Sequence, residues 1–272
     1  MKIIMFYVSV ILKLTVMIMK KYIKVRDTII GDGIPKICVP IVEKTKEEIV
    51  LKANEIKDKD IDIVEWRGDY YEYIIDIDKV NEILKILRDI FKDIPILFTF
   101  RTKREGGNLE ISNEEYLKLS KSVIESRFID LIDIELFLGE VLINEVTMMA
   151  KENDIKVIIS NHDFCKTPKK EEILMRLIKM YKLGADISKV AFMPKSNEDI
   201  ISLLEASEEM NSLYSDSLMV TVSMSNKGVI SRLWGEIFGS VITFGALGNG
   251  SAPGQIPVDK LRSVLNLLHE YS

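Results

Sequence analysis

Lys156-Val-Ile-Ile-Ser-Asn-His162-Asp-Phe164 is followed, after the charged stretch 169–182, by Ala185-Asp-Ile-Ser-Lys189-Val-Ala-Phe-Met-Pro194. Each outer segment is a short run rich in β-branched and other apolar residues, and the stretch between them has apolar residues at helical spacing. The three read as strand, helix, strand. Strands so continuously apolar are buried on both faces, as in a parallel sheet covered by helices.

The same alternation extends in both directions. Strand candidates occupy residues 36–42, 61–69, 95–101, 128–136, 156–164, 185–194, 218–224 and 240–247. Helix candidates occupy 46–57, 77–92, 113–126, 140–151, 169–182, 197–211, 228–238 and 257–271. Thr45, Ser112 and Thr167 stand where helix start signals belong, the last just before Pro168. Eight βα units in about 230 residues match a closed (β/α)8 TIM barrel, an α/β fold in one domain spanning residues 21–272. A doubly wound open sheet is the runner-up. It is weakened because no G-x-G-x-x-G follows the first strand and no G-x-x-x-x-G-K-[ST] occurs. The stretch 22–33 alternates weakly and reads as a hairpin closing the bottom of the barrel.

Composition narrows the partners. At 272 residues and 47% hydrophobic content the chain has ample material for a core. A net charge of −5 argues against nucleic acid, which calls for a basic face, but leaves room for a small anionic substrate held by local positive charge. Cys38 and Cys165 supply neither a disulfide framework nor zinc spacing, and read as reduced thiols in a cytoplasmic protein. Residues 1–20 hold an apolar run too short to span a bilayer and lacking a small-x-small cleavage site. They read first as a mis-assigned start outside the fold, with Met17 or Met19 as initiator. A membrane-surface anchor and an uncleaved signal come behind that reading.

In a barrel the site lies at the C-terminal ends of the strands. Polar groups collect there: Glu65 and Arg67 at period two, Arg101 to Glu105, Asp133 and Glu135 at period two, His162, Lys189, Arg232, and the loop from Gly248 to Gln255. Glu65, Arg67, Asp133 and Glu135 also read as paired, structural charges of the barrel interior. His162 alone reads as a satisfied core histidine. Lys189 is harder to dismiss, because a lysine inside an apolar strand is costly unless paired or deprotonated. An imidazole at one strand end and a lysine in the next strand are the parts of an imine-forming enzyme.

These residues resemble the type I 3-dehydroquinate dehydratase family across residues 25–268. The motifs are Glu65-Trp-Arg67, Arg101-Thr-x-x-Glu105-Gly-Gly, His162-Asp-Phe, Ala185-Asp-Ile-Ser-Lys189, Gly228-Val-Ile-Ser-Arg232, Thr243-Phe-Gly and Ser251-Ala-Pro-Gly-Gln255. The resemblance implies a TIM-barrel lyase of the shikimate pathway that dehydrates 3-dehydroquinate, with no metal or dissociable cofactor, working as a homodimer. It implies Lys189 as the Schiff-base lysine, His162 as general acid/base and Glu105 as the carboxylate orienting that histidine. By the same resemblance Glu65, Arg67 and Arg101 hold the substrate ring and neighbouring side chains. Arg232 grips the carboxylate, Ser251 and Gln255 cover the ring, and Met224 is an apolar wall. Arginines near Lys189 are expected to favour its neutral form. The chain departs from the family pattern at Pro40, where relatives carry serine, at Val222, where they carry methionine, and in residues 1–20. Two alternatives stand beside this reading: a class I aldolase on the same barrel, and an inactive barrel retained for binding.

Overall fold

The structure, a computed structural model, describes residues 22–247 and 254–272; the expectations for residues 1–20 and for Ser251 lie outside them. Strands β1 (Ile23–Val25) and β2 (Thr28–Ile30) form an antiparallel hairpin. Eight parallel strands follow: β3 (Lys36–Ile41), β4 (Ile63–Arg67), β5 (Ile96–Thr99), β6 (Leu131–Glu135), β7 (Lys156–Asp163), β8 (Ile187–Phe192), β9 (Leu218–Ser223) and β10 (Ile242–Ala246). Each from β3 to β8 pairs with the next in sequence, and β10 pairs with β3. Closure between β9 and β10 rests on one parallel bridge, Met219 with Ser240, and on Val241 N–H donating to Met219 O at 2.9 Å. A short strand β11 (Ile256–Pro257) returns alongside the exit of β10.

The outer layer is helical. Its members are α1 (Lys46–Ile56), α2 (Ile77–Phe91), α3 (Asn113–Glu125), α4 (Glu140–Glu152), α5 (Lys170–Lys182), α6 (Asn197–Leu213), α7 (Val229–Leu233), α8 (Gly235–Phe238) and α9 (Val258–Glu270). Thr45 and Ser112 cap α1 and α3 in reciprocal boxes with Glu48 and Glu115. Thr167 does not cap α5. That helix starts at Lys170, and the Thr167 hydroxyl instead donates to Met193 O at 3.1 Å, tying the loop to the exit of β8. The helix expected over 228–238 is two short ones, broken at Trp234. The chain turns there because Gly235 lies so close to Ser240 O and Pro35 that a Cβ would sit 2.7 Å from that carbonyl.

Period two along each strand splits the apolar residues into two clusters. One faces the helices and includes Val64, Trp66, Phe98, Ile132, Ile159 and Val190. The other fills the lower interior with Cys38, Ile63, Leu97, Leu131, Ile158, Ile187, Leu218 and Ile242. Ile23, Val25 and Ile30 of the hairpin belong to this inner cluster, so the hairpin plugs the bottom as the sequence suggests. With apolar side chains filling its bottom, the barrel keeps its polar groups for the upper end.

Asp130, just before β6, holds the plug in place. It accepts from Arg26 Nε at 2.6 Å, from Ile96 N at 2.8 Å and from Arg88 Nη2, while Arg88 also reaches Phe128 O at 3.0 Å. Asp130→Ala strands a half-buried guanidinium and a strand N–H, at a cost of about 3 kcal/mol. Thermal unfolding is expected to shift down by roughly 6–12 °C; an unchanged midpoint would remove the clamp from the account.

Candidate active site

Above the inner apolar layer the strands turn polar. Registers run Glu135 beside Ser160, Ser160 beside Lys189 and His162 beside Ala191. Lys189 therefore sits one inward step below His162 on the adjoining strand. A cavity of about 270 Å³ opens here, lined by Glu65, Arg67, Tyr70, Arg101, Glu105, His162, Phe164, Lys189, Val222, Met224, Phe244, Arg232 and Gln255, among others. Every described residue singled out for the site thus faces one cavity; Ser251 lies outside the described residues, and Pro40 is buried in β3 but is not among the lining residues.

Arg101 organises the floor. Its Nη2 donates to Asp133 at 2.9 Å, and Nη1 to Ser160 at 3.0 Å, Glu135 at 3.1 Å and Glu105 at 3.5 Å. Three carboxylates converge on it, so its pKa is raised in spite of burial. The resemblance implies that it holds the substrate and neighbouring side chains; it lines the cavity, and its guanidinium is engaged by the protein carboxylates and Ser160. Burial would raise the Asp133 carboxyl, but Arg101, Lys189 and the Ser160 hydroxyl overcome it and bring it down to about 2.

Lys189 is buried, and Nζ donates to Asp133 Oδ2 at 3.1 Å, with Glu65 Oε1 at 3.9 Å. It also lies 4.7 Å from the Phe244 ring centre. Its closest charged neighbours are carboxylates, not the arginines expected from the sequence. Glu65 is itself fixed by Thr99 Oγ1 at 2.7 Å. Asp133 and Glu135 were legible as interior charges from their period-two spacing. That Asp133 serves Lys189 was not, since the pairing joins strands 56 residues apart.

Glu105 reaches the histidine from a loop built for the purpose. Thr102 N and Oγ1 donate to Glu135 at 2.8 and 2.7 Å. Asp69 accepts from Arg101 N and Asn108 N, each at 3.3 Å. Gly107 lies so tightly against Arg101 that a Cβ would stand 1.8 Å from its carbonyl oxygen, and Gly106 adopts φ +86° beneath the Phe164 ring. The loop so folded sets Glu105 Oε2 at 2.9 Å from His162 N and 3.1 Å from His162 Nδ1.

Burial, with the positive charges of Arg101, Lys189 and Arg67, holds the imidazole well below its usual value and hence neutral. Burial raises the Glu105 carboxyl to about 7 against the opposing pull of Arg101. Above that pH the carboxylate accepts from Nδ1–H, an assignment made from the hydrogen bonds, which leaves Nε2 with the lone pair. The pair is then a neutral base oriented by an anion.

The rim holds two further cations. Arg67 is clamped by Asp69 through Nε at 2.8 Å and Nη2 at 2.9 Å, and its guanidinium lies 5.0 Å from the Tyr70 ring centre. Arg232, on α7, is buried, and burial pushes its guanidinium down to about 10. Thr243 Oγ1 holds its carbonyl at 2.9 Å. Met224 and Val222 form the apolar wall. Tyr70, Phe164 and Phe244 also line the cavity; the last two fall within the motifs His162-Asp-Phe and Thr243-Phe-Gly, whereas no motif marked Tyr70. Among the described residues, no group of three or more His, Cys, Asp or Glu is placed to hold a metal ion, and no helix is long and apolar enough to cross a membrane.

Comparison with known proteins points one way. Residues 37–272 match the family model of type I 3-dehydroquinase. The chain is 52% identical over 252 residues to the 3-dehydroquinate dehydratase of Clostridium botulinum strain Eklund 17B, covering 93% of this chain and 99% of that one. A crystal structure of type I 3-dehydroquinate dehydratase from Clostridium difficile, with covalent modified comenic acid, matches with TM-score 0.91 and 52% identity over 93% of this chain and 100% of that one. 3-Keto-L-gulonate-6-phosphate decarboxylase from Vibrio cholerae, at 12% identity and TM-score 0.55 over 86% of this chain and 98% of its own, shares the fold alone.

The raised carboxyl of Glu105 has a signed consequence for stability. A group whose pKa rises from 4.5 to about 7 on folding contributes stability below 4.5 that is lost as pH rises through 7. Glu105→Gln removes that dependence. Relative to the parent it should gain stability progressively between pH 4.5 and 7, by up to about 3 kcal/mol. Urea titrations at pH 5, 6, 7 and 8 measure it, and a pH-independent difference would contradict the assignment.

Proposed function

The chain belongs to the type I 3-dehydroquinase family, and from that premise we propose that it dehydrates 3-dehydroquinate to 3-dehydroshikimate, a step of the shikimate pathway, through an imine on Lys189. The observation that carries this reading is the placement of Lys189 and His162 on adjoining strands of one cavity, with Asp133 against the amine and Glu105 against the imidazole. The crystal structure of the Clostridium difficile relative with covalent modified comenic acid supports covalent chemistry in a site of this kind.

Lys189, as the free amine, adds to the ring ketone, and loss of water forms the imine. The protonated imine carries its positive charge on the lysine nitrogen, which as the amine lies 3.1 Å from Asp133, a carboxylate that stays ionised down to about pH 2. That charge-matched neighbour stabilises the electron sink. Neutral His162 takes a proton from the carbon next to the imine, and Glu105 stabilises the imidazolium that results. The enamine expels the hydroxyl at the carboxylate-bearing carbon, and His162 returns its proton to the departing oxygen. Water then hydrolyses the imine and frees Lys189.

Binding groups suit a polyhydroxy keto-acid. Arg232 offers a planar, bidentate fork for the carboxylate. Glu65, Arg67 and Gln255 line the cavity that would take the ring, with Met224, Val222 and Phe244 as its apolar lining. Arg101 acts chiefly by holding Asp133, Glu135 and Glu105 in place.

Lys189→Ala is expected to lose turnover and to yield no mass increment after treatment with 3-dehydroquinate and borohydride, where the parent gains one; normal turnover by this variant would sink the proposal. His162→Ala should turn over roughly 10²–10⁴-fold more slowly yet still trap an adduct. Unchanged kcat in that variant would send the search for the base elsewhere.

A further inference from the structure

His162 is flanked on β7 by a residue the scheme above does not use. Ser160 and His162 point into the barrel, so Asn161 between them points outward, toward the helices. It is buried, and its Oδ1 accepts from Arg176 Nη1 on α5 at 2.6 Å. On the other side its Nδ2 donates to Glu105 Oε1 at 2.9 Å. Glu105 therefore straddles the end of β7: Oε2 meets His162 on the inner face and Oε1 meets Asn161 on the outer face.

We propose that Asn161, locked by Arg176, is a positioning residue that fixes the Glu105 carboxylate and through it the orientation of the base. Guanidinium has donors only, so the amide must turn its oxygen to Arg176. The NH2 is then committed to Glu105. The flipped amide would set oxygen against carboxylate and NH2 against guanidinium, two repulsions in place of two bonds. Arg176 is in turn braced by Glu172 one turn earlier and lies 5.4 and 5.6 Å from the ring centres of Phe137 and Phe192. A line of fixed donors and acceptors thus runs from the outer helix layer, past the strand end, to the imidazole. The charged groups facing Glu105 are Arg101 at 3.5 Å, Glu135 and His162, and those facing His162 include Arg101, Lys189 and Arg67. All belong to the barrel interior, so Asn161 supplies the contact from outside.

This inference rests on the role proposed for His162, but its test can be read without substrate. The chain has two histidines, and His269 lies on α9 beside Glu236 at 2.8 Å, away from the cavity. Ring NMR titration therefore reports the His162–Glu105 pair with an internal reference. In Asn161→Ala and in Arg176→Met, Glu105 loses a donor or its fixed orientation and keeps its proton to higher pH. The midpoint of the His162 ring signal should move up in both, with His269 unmoved, while Arg176→Lys stays near the parent. In parallel, kcat for 3-dehydroquinate at pH 7 should fall about 10–100-fold, with KM little changed and the acid limb of the kcat profile displaced upward. If Asn161→Ala fails to fold, Arg176→Met decides, since it leaves β7 intact. An unmoved His162 midpoint in folded Arg176→Met, or loss of kcat with no displacement of the limb, would overturn the relay. A parent that binds no substrate covalently would instead overturn the dehydratase reading and leave the titration result standing.

Discussion

Arg101 sits in the middle of the barrel with Asp133, Glu135, Glu105 and Ser160 gathered around one guanidinium. Four carboxylates, with Glu65, enclosed in a protein interior would repel one another and shed their charge. A delocalised cation with a fixed fork of donors lets three of them stay close and hold distinct positions. Each then faces outward from the cluster to a different task. Asp133 turns its second oxygen to Lys189, Glu135 fixes the loop after β5, and Glu105 takes the histidine. Substituting Lys for Arg would keep the charge and lose the geometry that divides it.

The cluster works because the fold isolates it. The hairpin closes the bottom with apolar side chains that join the inner core below Lys189. Above, the aromatic rings of Phe164 and Phe244 and the apolar side chains of Val222 and Met224 line the cavity. In so dry a setting burial, the largest influence on Asp133, Glu105, His162 and Arg232 alike, pulls each toward its neutral form. The outcome differs by partner. Two cations and a hydroxyl keep Asp133 ionised. Glu105, with Glu135 nearby, is left near 7, and His162, facing three cations, is left neutral. Three neighbouring buried groups thus differ in protonation: Asp133 stays ionised, Glu105 titrates near 7 and His162 is neutral.

Backbone geometry decides where Glu105 can go. It lies on neither a strand nor a long helix but on a single 3-10 turn held from two sides by Asp69 and Glu135. Two glycines let that turn fold back over its own strand, one by close approach to Arg101 and one by a left-handed backbone. The carboxylate is thereby brought over the end of β7, two strands away, where it grips inner and outer faces together.

The alternation of apolar runs and amphipathic stretches was enough to specify eight strands, their parallel order and the barrel, because period two and period 3.6 are local properties of the chain. It placed Lys189 and His162 one βα step apart, and the family motifs marked the residues that line the cavity. What it left open depends on contacts between residues far apart in sequence. Asp133 and Lys189 meet across 56 positions and Glu105 and His162 across 57, while Arg176 reaches Asn161 across 15 from the helix that follows its strand. That Glu65 and Arg67, and Asp133 and Glu135, share one side of their strands was legible. Which oxygen faces which nitrogen, and hence which group carries a proton, was settled only when the tertiary fold set the distances and removed the water.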